Sequence, residues 1–217
     1  MVIELEWQGK KFTPSVYGLK NNFIFTPEPE IMKIIKEKAF LKSWQVSLVG
    51  DVVVRRTLAS GVCSGISAYV LLNFLGEEIP SAQEEIKIAV MQVRTWGRPF
   101  LTQSLKSYFN HKKFKEKLEK SLRTTNQEWL PLVVFLPKIS NLKKITYAHT
   151  VVPYSLEEGL RWVKIKVYDS NYPGNNNLVL KIDKLEGTWD YRDKDGNRWI
   201  LTINYLGNLL KRVPFLW

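Results

Sequence analysis

Cysteine and histidine are nearly absent from this 217-residue chain, which holds one of the first, Cys63, and two of the second, His111 and His149. A single thiol excludes an intramolecular disulfide, and so short a supply of soft ligands, with no HExxH or CxxC pattern, leaves no zinc site. A calcium loop starting at Asp169 fails because Pro173 and Leu180 stand where oxygen ligands are needed. Neither a glycine-rich phosphate loop nor a GxSxG elbow occurs, so no metal or cofactor is expected. No run reaches the roughly 18 apolar residues of a membrane span. Residues 1–12 lack the basic-then-apolar pattern of a signal peptide, which makes an intracellular, soluble protein the expectation.

Acidic residues are also in deficit, 21 against 32 Lys and Arg, for a net charge of +11. That balance suits an acidic protein surface, a nucleic acid or an anionic lipid and does not choose among them. Hydrophobic residues at 45% and aromatics at 12% supply a full core and exclude general disorder. One domain is expected over 1–217, with a covering segment at 1–58, a helical lobe at 59–125 and a β lobe at 126–217.

In order along the chain, Val2–Trp7 reads as a strand, and Thr26-Pro27-Glu28-Pro29 opens a helix with Ile31, Ile34, Ile35 and Ala39 on one face. Val46–Val54 is apolar and β-branched and reads as extended. Ser60 is a candidate cap for an apolar helix that contains Cys63 and ends at Gly76. Ser81-Ala82-Gln83-Glu84 has the capping-box pattern, with Ile86, Val90 and Val93 behind it. A further helix is expected over Thr102–Leu122, with Leu105, Phe109 and Leu118 inward. Its outer face carries Lys106, His111, Lys112, Lys113, Lys115, Lys117, Lys120 and Arg123, a basic helix for an acidic protein or nucleic-acid contact.

From Leu130 the period becomes two. Leu132–Leu136, Ile145–Tyr154, Trp162–Tyr168, Leu178–Ile182, Thr188–Tyr191 and Trp199–Ile203 read as strands, the last two joined by a hairpin turn at Asp193–Asn197. Helices followed by antiparallel strands define an α+β fold.

Three stretches carry chemistry. Cys63 falls in the first turn of its helix, where the dipole favours thiolate. His149 lies in a strand, and Asp169 and Asn171 end the next one, so antiparallel pairing brings an acid or amide beside the imidazole. A single Cys in an apolar helix, or a single His in a strand, is otherwise a packing residue.

The segments Gly61-Val62-Cys63-Ser64-Gly65-Ile66-Ser67, Ala148-His149-Thr150-Val151-Val152-Pro153-Tyr154 and Val167-Tyr168-Asp169-Ser170-Asn171-Tyr172-Pro173-Gly174 resemble the nucleophile, His and Asp segments of papain-like cysteine peptidases, near the bacteriocin-leader (double-glycine) peptidases. The resemblance spans about Ser60 to Tyr191. It implies a papain-like α+β fold with the Cys63 helix packed on the sheet. It also implies a cysteine peptidase, or a related thiol hydrolase or acyltransferase, acting on a peptide or protein through a thioester. Cys63 would attack, His149 would carry the proton, and Asp169, or Asn171 in its place, would hold the ring. The chain departs from that pattern at the Gln usually found about six residues before the cysteine, which completes the oxyanion hole. Thr57 stands there, and Gln45 is far away. The reading that departure favours is a catalytically inactive papain-fold binding protein that docks a partner on its basic face.

Overall fold

The alternating segments after Leu130 do become strands, and their order sets the architecture. The computed structural model describes residues 1–14, 17–21, 27–40, 44–138, 140, 148–192, 194–196 and 198–211, with the side chains of 44–49, 111 and 195 left outside. The expectations on Thr26, on Ile145–Tyr147, on Asp193 and Asn197 and on the His111 side chain therefore lie outside the described residues.

Three short strands, β1 (Val2–Glu4), β2 (Glu6–Trp7) and β3 (Lys10–Lys11), precede six helices: α1 (Pro29–Ala39), α2 (Trp44–Ala59), α3 (Cys63–Phe74), α4 (Ser81–Val93), α5 (Arg98–Phe109) and α6 (Phe114–Leu122). The strands that follow are β4 (Pro131–Pro137), β5 (His149–Glu158), β6 (Trp162–Tyr168), β7 (Val179–Asp183), β8 (Trp189–Tyr191), β9 (Lys194–Asp195) and β10 (Trp199–Tyr205), with a last turn of helix, α7 (Gly207–Leu210). The protein is α+β. Its main sheet is antiparallel throughout and ordered β10-β4-β5-β6-β7-β8-β9, with β1 added beside the second half of β5. Among the described residues no single helix is long and apolar enough to cross a membrane.

The site rests on one helix–sheet contact. In α3 every residue but Asn73 is buried, because the helix packs on α4 along one side and on β5 along another. Ser64 and Ser67, one turn apart, share the face that meets β5. The Ser64 hydroxyl lies 2.6 Å from the Thr150 hydroxyl, and Ser67 donates to the Thr150 carbonyl at 3.3 Å. On the α4 side, a Cβ at Gly65 would sit 2.2 Å from the Ile88 carbonyl oxygen, so only glycine permits this approach.

Several expectations are corrected. Val46–Val54 lies within α2, where helical burial of Val54 and Leu58 overrides β-branched propensity. Ser60 does not cap α3; its hydroxyl donates back to the Thr57 carbonyl at 2.8 Å and closes α2. The capping box at Ser81 is not formed, since Pro80 occupies the cap position and no side chain bonds there. The helix expected over Thr102–Leu122 is two helices. It breaks at Asn110, whose side chain turns back onto the Lys106 carbonyl, and a 3-10 turn over His111–Lys113 follows. Leu105 and Phe109 are 49% and 71% exposed, because α5 instead buries Phe100, Ser104 and Ser107. The two serines meet β10, Ser107 accepting from the Ile203 N–H and Ser104 from the Asn204 amide. The basic residues are thereby spread over α5, the 3-10 turn and α6 with its C-terminal cap, and Lys115 is paired with Glu158 and Glu119.

No hairpin joins the last two expected strands. β8 pairs with β9, while β10 pairs with β4 at the other end of the sheet. Finally, residues 1–58 do more than cover. β1 is a strand of the main sheet, and the boundary expected at 58 falls in the last turn of α2.

Candidate active site

Three elements each deliver one side chain. Cys63 is the first residue of α3, His149 the first residue of β5, and Asp169 follows the last residue of β6. The alternation Val163, Ile165, Val167 on the buried face continues to Asp169, as its strand position requires. The strand stops before Asn171, where Tyr172 N–H bonds the Asp169 carbonyl and turns the chain.

His149 Nε2–H donates to Asp169 Oδ1 at 2.8 Å. With Nε2 committed, Nδ1 is the nitrogen left to act toward the Cys63 thiol, and thiol and imidazole shift each other's titration in opposite directions. Asp169 accepts two more bonds, from the Asn171 N–H at 2.8 Å and from the Tyr191 hydroxyl at 2.6 Å. Phe135, opposite His149 in the β4–β5 register, stacks at 6.3 Å from the imidazole and 5.2 Å from Tyr191, which fixes the ring plane. All three are buried, Cys63 and His149 at 7% and 5% exposure and Asp169 at 1%, so the carboxylate lies deepest.

The electrostatics follow from this packing. Burial pushes the Cys63 thiol up, but hydrogen bonding and charge from His149, the Thr150 N–H and the Ser64 hydroxyl outweigh it and lower the thiol. Burial pulls His149 down, yet bonds to Asp169 and Cys63 carry it up to about 9. Asp169 is raised by burial and lowered more by His149, Tyr191 and the Asn171 N–H, so it stays ionised. The shifts favour a thiolate–imidazolium pair, backed by a carboxylate, over the neutral thiol and imidazole.

Asn171, the other candidate for the third position, lies exposed at the rim with its Nδ2 3.5 Å from His149 Nε2. Thr57, at the position of the absent Gln, is buried in α2 and donates to the Val53 carbonyl, away from the thiol. Among the described residues the Cys63 and Ser64 N–H groups take no partner and remain as donors at the helix start, while the Gly65 N–H is taken by Gln92 Oε1. No group of three or more described His, Cys, Asp or Glu residues is arranged to hold a metal ion.

Sequence reasoning missed Asn21, Tyr191 and Gln92. Tyr191 was legible as a strand residue, but nothing in its strand pairs it with Asp169. Asn21 sits in an irregular segment, and its partners Val62 and Asn171 are 41 and 150 positions away, so no local signal marks it. A groove of about 460 Å³ opens beside Val62, walled by Leu19, Val62, Ile66 and Ile88 with Lys20 and Glu84 at its edge. A larger cavity of about 700 Å³ lies elsewhere, between α6 and the sheet. It is lined by Trp189 and Trp199 with Lys112, Lys115, Lys138 and Lys184, and no member of the Cys63–His149–Asp169 set borders it.

A thiol, an imidazole and a carboxylate brought together are the components of nucleophilic catalysis by cysteine. No known family, curated protein or solved structure matches this chain.

Proposed function

We propose that this chain is a cysteine peptidase, or a related thiol hydrolase or acyltransferase, built on a papain-like plan. The observation that carries the reading is the gathering of Cys63, His149 and Asp169 from α3, β5 and the end of β6, with His149 bonded to Asp169 and the Cys63 thiol lowered by His149. The thiolate of Cys63 attacks a carbonyl carbon, forming the S–C bond, while the oxyanion takes the Cys63 N–H. His149 passes its proton to the leaving amine as the C–N bond breaks. Water, deprotonated by the now neutral imidazole, then cleaves the thioester, and an amine acceptor in its place gives acyl transfer. The groove beside Val62 suits an apolar substrate side chain next to the scissile bond.

One observation favours the second reading, an inactive papain-fold binding protein. Thr57 supplies no side-chain donor to the oxyanion, and the lysine-rimmed cavity offers a surface for an acidic partner. Iodoacetamide at pH 6 separates the two. Modification of native Cys63, slowed markedly by His149→Ala in protein that stays folded, supports the hydrolase. A native thiol that stays inert while the denatured chain reacts would overturn it, and salt-sensitive binding to polyanions would then support the alternative.

A further inference from the structure

The two ends of a carboxamide have opposite hydrogen-bonding roles, and which end faces which neighbour follows from the partners. Here one partner has a fixed role. The buried Val62 N–H can only donate, and Asn21 Oδ1 accepts from it at 2.9 Å. Asn21 is held for this contact by its own N–H, which donates to the Ser170 carbonyl at 2.8 Å, and by Gly61, whose φ of +106° lets the loop close over the amide. With Oδ1 committed, Asn21 presents Nδ2 to Asn171, whose Oδ1 accepts at 2.8 Å. Asn171 is thereby left facing His149 with Nδ2, at 3.5 Å from Nε2. Nε2 already carries the proton given to Asp169, so these two groups meet donor to donor.

We infer that Asn21 is a positioning residue: it relays the polarity of the Val62 N–H to Asn171, turns the acceptor of Asn171 away from His149 and reserves the orienting of the imidazole for Asp169. This rests on the reading of Cys63, His149 and Asp169 as nucleophile, base and orienter. The exposed Asn171 amide is solvated equally well either way round, so the buried Val62 donor decides its direction.

Asn21→Asp tests the relay, because a carboxylate accepts from both Val62 and Asn171. The Asn171 amide must then turn over and bring Oδ1 to Nε2–H. In labelled protein, a nuclear Overhauser contact between the Asn171 side-chain amide protons and the His149 ring is expected in the parent and is expected to be lost in Asn21→Asp. A contact absent from the parent, or unchanged in the variant, overturns the inference. The second readout is alkylation of Cys63 at pH 6. Asp169→Ala is expected to slow it tenfold or more, and adding Asn21→Asp is expected to restore it severalfold, with the gain abolished by Asn171→Ala. A gain that survives Asn171→Ala comes from the added charge alone and overturns the relay, as does no gain at all in folded protein. An inert parent thiol would overturn the proposed function instead, and the amide contact would still decide the relay.

Discussion

At the scale of single residues, Asp169 and Asn171 compete for one role, and geometry separates them. Asp169 accepts the imidazole proton at 2.8 Å, whereas Asn171 offers the imidazole only a donor at 3.5 Å. Asp169→Asn should therefore cost about 10³–10⁴-fold in turnover, as loss of the orienting acid does in comparable triads. Asn171→Ala should stay within about tenfold by the same comparison. Measured turnover of both variants on a cleaved peptide checks the order; a larger loss from Asn171→Ala reverses the assignment. The ion pair also predicts a pH profile. A His149 raised from 6.5 to about 9 stabilises the fold below 6.5 and loses that contribution as pH rises to about 9. A Cys63 lowered from 9.0 stabilises the fold above 9.0 and loses that contribution as pH falls through its folded value. Between 6.5 and 9 the two contributions change in opposite directions with pH and offset one another. Urea midpoints should therefore fall less with rising pH across that window than the His149 shift alone would make them, and a steep fall would mean that the Cys63 contribution is missing.

At the scale of elements, the approach of α3 to α4 is the most demanding packing in the site. Gly65→Ala drives a methyl group into the Ile88 carbonyl, so a loss of about 1–3 kcal/mol is expected together with displacement of Cys63. Leu118→Ala should cost about 2–5 kcal/mol because α6 buries it completely. Phe109→Ser, on the exposed end of α5, should stay within about 0.5 kcal/mol. Denaturant midpoints test all three. The last pair marks where the sequence was legible. Leu118 and Phe109 are both apolar in a helix, and only the serine–asparagine contacts between α5 and β10 decide that Phe109 faces out. The strands with clear alternation, Trp162–Tyr168 above all, were read with nearly their observed bounds. Cys63, His149 and Asp169 could be singled out because their chemistry and their places at the ends of elements are local properties, and the structure joins His149 to Asp169. Helix α2 was not read because VSLVGDVVV has strand composition, and its helicity is a consequence of what it packs against. The partners that complete the site, Asn21 and Tyr191, are fixed by tertiary structure alone.

At the scale of the whole molecule, the site joins parts of the chain that are remote in sequence. The Ser64–Thr150 contact spans 86 positions, Val62–Asn21 spans 41 and Asn21–Asn171 spans 150, while β1 adds to β5 from the start of the chain. Closing such loops costs entropy before any contact repays it, and topologies of this kind fold slowly. The N-terminal segment therefore links the site to the time course of folding. Helices α3 and α4 adjoin in sequence, so their contact closes only a short loop, but the thiol is lowered only once β5 docks and brings His149 and the Thr150 N–H to it. In the denatured chain at pH 6 the thiol is protonated and slow to alkylate. A refolding chain sampled with brief pulses of iodoacetamide at pH 6 should thus gain Cys63 reactivity after its helical circular-dichroism signal has returned. Reactivity that appears together with the first helical signal would mean the thiol needs only its own helix. A late gain makes the cysteine an internal clock, its nucleophilicity switched on when the most distant strands of the fold have met.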